Sequence, residues 1–268
     1  MAASVEVLRE GAVARVRLNR PERRNAFDEA LIAELMAAFE SDDVRGDATR
    51  VVVVEGAGEH FCAGADAGWM RRAAAWSEEE NRADSLRMAQ MFASIAACPH
   101  PVVARAHGAA LGGGAGIVAA CDVAIADPGA LFGFTEVRLG IIPAVISPFV
   151  LRKVDPASAR RYFLTGEPFD AREAMRIGLV QVVAGDEGLD AAVAAFVGAA
   201  LLAGGPRAQA EVKRLLEVLP ATSPDDRAAL TSAWTARLRA SEEGSEGLAA
   251  FLEKRKPSWH PEHPEAKR

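Results

Sequence analysis

The chain has 268 residues, half of them hydrophobic and a quarter charged, with a formal net charge of -6. That length holds one large domain, or one domain with a smaller appendage, of ordinary soluble composition. The acidic balance argues against a general nucleic-acid binder, which needs a basic face, and three dispersed cysteines (Cys62, Cys98, Cys121) without CxxC spacing argue against a disulfide framework or a zinc site.

The opening VEVLREGAVARVRLNR reads as two short strands joined at Glu10-Gly11. In FDEALIAELMAAFESDD, Leu31, Ile32, Leu35, Met36 and Phe39 recur at helical spacing, with Asp28 as N-cap. RVVVVEGAG is a β-branched run that suits a strand buried on both faces. Ser77 and Glu80 form a capping-box pattern, predicting a helix to about Ala97 with Leu86, Met91, Phe92 and Ile95 inward. PVVARAHGAALGGGAG then repeats the order strand, small-residue loop, helix start. CDVAIADPGALFGFTEVRLG predicts a short strand, a turn at Pro128-Gly129 and a second extended piece. From about Asp190 the chain reads as helix after helix. Breaks fall at Gly204-Gly205-Pro206, and Thr222 or Ser223 caps a later helix. The division expected is a core over 1–190 and a helical region over 191–268. The tail SWHPEHPEAKR, with His260 and His263, is polar, proline-rich and expected to fray. The first residues lack a signal-peptide pattern, and no stretch offers roughly 20 uninterrupted apolar residues, so a cytoplasmic location away from membranes is expected.

The glycine triplet Gly112-Gly113-Gly114 follows a strand and opens a helix. Glycines there let another backbone pack closely, or let a ligand approach the unpaired first amides of the helix. A dinucleotide site would need G-x-G-x-x-G at the first βα turn, and GGGAG lacks that spacing. A second small-residue loop, Phe61 to Asp66, also follows a buried strand. Two such loops can each aim one N–H at a single oxygen, the geometry of an oxyanion hole.

Together ERRNAF, FCAGAD, HGAALGGGAG, CDVAIA, FGFTEVRLGIIP, RRYFLTGEPFDAREAMRIGLV and FLEKRK resemble, in this order, the crotonase (enoyl-CoA hydratase/isomerase) family. The resemblance covers nearly the whole chain. It implies an α/β fold: a spiral of ββα turns followed by an all-helical C-terminal region for oligomerisation into trimers or hexamers. It implies an acyl-CoA thioester as substrate, with coenzyme A as part of it and no separate cofactor. The implied oxyanion donors are the Ala65 and Gly113 N–H groups. Arg24, Ala26, Ala63, Ala65, Asp66 and Gly113 fall at positions where members contact the coenzyme A portion.

Fully equipped hydratases of the family hold water between two glutamates. Here Glu136 matches one, and Gly116 stands at the position of the other, where it would make room for substrate or water. One carboxylate suffices for double-bond isomerisation. The segment VRLGIIPAVISPFV nevertheless resembles single-glutamate hydratases of the methylglutaconyl-CoA type. Hydration of a branched or glutaconyl-type enoyl-CoA is therefore the first expectation. Isomerisation is the second, and a low-turnover acyl-CoA-binding protein is the rival of another class.

Plain readings stand beside these. Glu136 alone would be an exposed strand-end carboxylate paired with Arg138; within the motif, flanked by the apolar LFGF and LGIIP, it is expected to be partly buried, which would raise its pKa and suit it to proton transfer. Asp66 reads as a helix cap, Asp122 as a partner of a nearby donor, and His107 as a structural hydrogen-bonder. Trp69, Met70 and Trp76 read as packing. Arg20, Arg23 and Arg24 are either a solvated turn or a contact for the nucleotide, and Lys254, Arg255 and Lys256 form a second basic group. A substrate with a distal carboxylate would need a cation deep in the acyl pocket, with Arg71, Arg72 and Arg82 as candidates.

Overall fold

In the computed structural model, which describes residues 3–263, the Glu10-Gly11 turn joins two antiparallel strands, β1 (Val5–Glu10) and β2 (Val13–Leu18). The other strands are β3 (Val51–Gly56), β4 (Val102–Ala106), β5 (Ala109–Leu111), β6 (Val123–Ala126), β7 (Leu131–Gly133), β8 (Phe169–Asp170) and β9 (Val182–Val183). A six-stranded sheet runs β1-β2-β3-β4-β6-β9, parallel from β2 onward. Val51 to Glu55 are all buried, as expected for a parallel strand covered on both faces.

A smaller sheet, β5-β7-β8, forms the second layer. Single bridges extend it backward, Phe27 to Ala65 and Cys62 to Ala110. Each turn of the chain thus lays one strand in the large sheet and one short extended piece in the second layer. This is the crotonase-like spiral of ββα turns.

The helices around the spiral follow local signals. α1 (Glu29–Glu40) is capped by Asp28, which accepts from the Leu31 N–H. α2 (Asp42–Arg45) is one turn. α3 (Ala67–Ala73) starts at Asp66, and α4 (Glu78–Ala96) starts at the reciprocal Ser77–Glu80 capping box. α5 (Gly113–Ala120) is buried from Gly114 to Ala120. α6 (Ser147–Val150), α7 (Pro156–Thr165), α8 (Ala171–Arg176) and α9 (Leu189–Phe196) follow.

Two expectations are corrected here. Leu86 is 57% exposed, whereas Asp84, Met91, Phe92 and Ile95 form the buried face of α4. The helical period puts Leu86 on the far side. The extended piece after Pro128-Gly129 ends at Gly133, and Glu136–Leu139 is a 3-10 turn closed by Gly140 in the left-handed region.

The chain divides into two compact units between Val193 and Ala194. The second contains α10 (Pro206–Val218), α11 (Pro224–Arg239) and α12 (Glu242–Leu252). Ser223, rather than Thr222, caps α11. Val197–Leu201 is π-helical, so the predicted helix up to Gly204 is not uniform. Within this unit Trp259 Nε1 donates to the Ala203 carbonyl at 3.1 Å. The first part of the expected frayed tail is therefore anchored, and residues 264–268 lie outside the described residues.

Candidate active site

The ERRNAF loop is fixed by a buried side chain that the sequence reading did not single out. Asn25 is fully buried, and its amide donates to the Ala57 and His60 carbonyls at 2.9 and 2.8 Å. Its Oδ1 accepts from the Arg20 N–H at 2.8 Å. Asn25 lies at φ 55°, and Arg24 at φ 53°. Asparagine tolerates that left-handed region better than most residues, which is the signal that was available.

The loop then runs beside the FCAGAD segment. The Ala63 N–H donates to the Arg24 carbonyl, the Phe27 N–H to Gly64, and the Asp66 N–H to Phe27. Arg24, Ala26, Ala63, Ala65 and Asp66 are thus gathered at one edge. Arg24 is exposed and Ala26 buried. Arg20 is turned inward, bonded to the Ala26 carbonyl and paired with Asp28 at 2.7 Å and Asp66 at 3.5 Å. Arg23 and Arg24 remain the exposed basic residues of the turn.

FCAGAD lies in turn against the glycine loop. The Cys62 N–H donates to Ala109, and the Leu111 N–H to the Cys62 carbonyl. Gly113 and Gly114 serve this packing: a Cβ on Gly113 would lie 2.5 Å from the Phe27 ring, and one on Gly114 would strike the Cys62 carbonyl. The triplet is a packing device, and it opens a helix as well. Among the described residues, neither the Ala65 nor the Gly113 N–H donates a hydrogen bond. Both are main-chain donors on adjacent segments, and Gly113 stands at the positive end of α5.

The Gly112 N–H donates to the Gly133 carbonyl at 2.8 Å and so ties α5 to the strand that leads to Glu136. The Glu136 carboxylate lies over Gly112, with Oε1 3.5 Å from where a Cβ would stand. Gly112 has φ 52°, so a side chain there would be strained, and its Cβ would stand in contact with Glu136. Glu136 Oε2 is buried without a hydrogen-bond partner. Burial pushes its carboxyl pKa up, against a weaker opposing pull from its own main chain. Glu136 is half-buried with Oε2 unpartnered, so the plain reading of an exposed, paired carboxylate is not met.

Gly116 does not open space. A Cβ there would collide with Ile146 Cγ2 and come within 2.9 Å of the Phe92 ring. Phe92 packs edge-on to Phe27 at 6.3 Å and against Phe149 at 5.8 Å. The expected vacancy is filled by an apolar plug. Ile146 comes from the AVISP segment, whose contact with α5 no local pattern announces.

Several of the remaining candidates make structural contacts. Asp66 caps α3, accepting from Gly68 at 2.7 Å and Trp69 at 3.1 Å. Burial opposes its ionisation, but those amides with Arg20 and Arg23 hold its pKa below the usual range. Asp122 accepts from the Val102 N–H at 2.7 Å. His107 Nε2 bonds the Gly58 carbonyl at 2.9 Å. Trp69 is buried, Met70 is exposed, and Trp76 is half-buried. Arg71, Arg72 and Arg82 are all exposed, and Arg72 is paired with Glu29. Arg255 is paired with Glu246 and Glu253, and Lys256 with Glu262. Among the described residues no three His, Cys, Asp or Glu side chains gather as a metal site requires.

Comparison with known proteins agrees with this architecture. The family model for enoyl-CoA hydratase/isomerase matches residues 9–262. A crystal structure of an enoyl-CoA hydratase from Shewanella pealeana superimposes with TM-score 0.90 at 40% identity, covering 96% of each chain. The mevalonyl-coenzyme A hydratase sidH of Aspergillus fumigatus is 34% identical over 256 residues, 91% of this chain and 90% of that protein. The enoyl-CoA hydratase ACTT6 of Alternaria alternata is 31% identical over 250 residues, 92% of this chain and 80% of that one. The chain belongs to the enoyl-CoA hydratase/isomerase family. It is an enzyme of the hydratase class.

Proposed function

We propose that the protein adds water across the 2,3 double bond of an enoyl-CoA thioester, with Glu136 as its single carboxylate. The observation that carries this reading is the Glu136 carboxylate, with Oε2 buried and unpartnered, set over Gly112 beside two undonated main-chain N–H groups. The Ala65 and Gly113 N–H groups hold the thioester oxygen. Each such donor contributes about 3–4 kcal/mol as charge builds on it. Glu136 takes a proton from water, hydroxide bonds to C3, and the enolate is held by the two donors. Glu136 then returns the proton to C2 on the same face, which leaves the carboxylate as it began.

The acyl group we assign is branched and apolar. The arginines that would meet a distal carboxylate, Arg71, Arg72 and Arg82, are exposed, and Arg72 is already paired with Glu29. Coenzyme A is part of the substrate, with Arg24, Ala26, Ala63 and Asp66 bordering its path, and no other cofactor is invoked. We assign a homotrimer or hexamer, built through apolar side chains such as Val212, Leu216, Phe251 and Leu252, all exposed in the second unit. Among the described residues no single helix is long and apolar enough to cross a membrane, and a cytoplasmic location fits the reduced cysteines.

Double-bond isomerisation is the second reading, favoured by the filled space at Gly116, because it needs one carboxylate and no water. The test is an assay with crotonyl-CoA and a 3-methyl-branched enoyl-CoA, following loss of the conjugated thioester absorbance. Turnover that disappears in Glu136→Gln, with coenzyme A binding kept, supports hydration. Folded protein that leaves both substrates untouched but migrates the double bond of a 3-enoyl-CoA supports isomerisation instead.

A further inference from the structure

A single carboxylate can move both protons of hydration, but it cannot by itself fix the orientation of a water. The plug of Ile146 and Phe92 rules out help from the side of Gly116. The residue before Glu136 is better placed. A point one bond out from the Gly112 Cα, where a side chain would begin, lies 3.5 Å from Glu136 Oε1 and 3.8 Å from Thr135 Oγ1. The hydroxyl and the carboxylate therefore face the same small volume, which exists because residue 112 is glycine.

Thr135 is oriented by its methyl group. Cγ2 lies 3.4 Å from the corresponding point on Gly133 and so packs on the end of β7. Thr135 occupies the cap position of the 3-10 turn, yet its side chain makes no capping bond. Threonine at such a position commonly spends its oxygen on a main-chain N–H. Here the hydroxyl is bound to nothing among the described residues, and the residue is half-buried.

We infer that Thr135 is the second group that holds the reacting water, an inference that rests on the hydratase reading. Water bound between Thr135 Oγ1 and Glu136 gives one proton to the carboxylate and directs its oxygen at C3. The threonine hydroxyl accepts or donates one hydrogen bond and carries no proton through the reaction. Glu136 alone takes the proton and delivers it to C2, so the net change is one water added.

Two rates measured on the same preparations test this. One is hydration of crotonyl-CoA. The other is exchange of the C2 protons of butyryl-CoA in D2O, followed by NMR, which needs the enolate site and Glu136 but no water aimed at C3. Thr135→Val keeps the shape and the methyl packing while removing the hydroxyl. It should lower hydration about tenfold more than exchange, the scale of one lost hydrogen bond. Thr135→Ser should restore hydration, and Thr135→Ala, as a second variant without the hydroxyl, should behave as the valine does. Equal effects on both rates, or none, would overturn the assignment of Thr135 and leave the hydratase reading intact. Wild-type protein that exchanges protons without hydrating would overturn the hydratase reading, and the role of Thr135 with it.

Discussion

A carboxylate removed from water and left without a hydrogen-bond partner ionises reluctantly, and Glu136 Oε2 is in that position. Two consequences can be measured. As a base, Glu136 must be ionised, so the acid limb of kcat/KM should lie above the ordinary glutamate value of 4.5. Glu136→Gln should lower turnover by about 100-fold or more and remove that limb. The second consequence concerns stability. A folded-state pKa above the unfolded one favours the neutral form, so the stability it brings is complete below 4.5 and is lost as pH rises through the folded value. Glu136→Gln should therefore raise Tm at neutral pH and lose that advantage near pH 4, as scanning calorimetry at both pH values would show. A Tm lowered at neutral pH would mean that the carboxylate is stabilised by a partner. Chemistry and stability thus oppose each other at this residue, as they commonly do at active sites. Glu136 itself was legible from FGFTEVRLG, because the motif is local. Its partial burial was legible too, from the flanking LFGF and LGIIP; that Gly112 and α5 are what pack beside it was not, because they lie in another segment.

At the scale of elements, α5 organises the site through both its ends and one face. Its first residues, Gly113 and Gly114, pack against Phe27 and Cys62, and its flank is sealed by Ile146 and Phe92. Gly116→Ala should overpack this seal and cost about 1–3 kcal/mol in denaturant unfolding. Ile146→Ala made on that background should recover part of the loss, although alone it is destabilising. That non-additivity is the mark of a direct contact. Additive losses would place the strain elsewhere. At the other end, Lys153 Nζ donates to the Val118 carbonyl at 3.1 Å, and burial pushes its ammonium pKa down to about 8. The unfolded chain then holds this proton from about 8 up to the ordinary 10.5 while the folded chain has released it. Stability from this group accordingly rises with pH across that window. Wild type should gain in Tm relative to Lys153→Met as pH is raised through it; a constant difference would contradict the burial of the ammonium. The elements with local signals were legible in sequence: the hairpin at Glu10-Gly11, the Asp28 and Ser77 caps and the valine run of β3. What was hidden depends on distant segments meeting. Leu86 was misplaced because an apolar residue on a solvated face looks like any other. The 3-10 turn at Glu136 was read as strand because FGF extends the β-pattern to its edge. The space at Gly116 was misread because its occupant, Ile146, lies in another segment.

For the molecule as a whole, the spiral brings three separate segments to one line. Arg24–Phe27 lies on Ala63–Asp66, and that segment lies on the loop leading to Gly113. The hydrogen bonds joining them are main-chain to main-chain, and the buried Asn25 side chain fixes the first of the three. The order of the motifs along the chain carried the family reading, because each segment is weak alone and seven in sequence are specific. Assembly is argued from the second unit, where no residue of α10 or α11 is buried and Phe251 of α12 is 80% exposed. Exposed apolar side chains on that scale support the proposed assembly. Light scattering at micromolar concentration should give a trimer or a hexamer, and a stable monomer would contradict that assignment. The central claim, hydration by a single glutamate, is tested most directly by the product formed from crotonyl-CoA in D2O, read by NMR. The account predicts 3-hydroxybutyryl-CoA with one deuterium at C2, delivered to the same face as the hydroxyl at C3, and no such product from Glu136→Gln. Deuterium incorporated without any hydroxyl, or a double bond moved to C3, would contradict it.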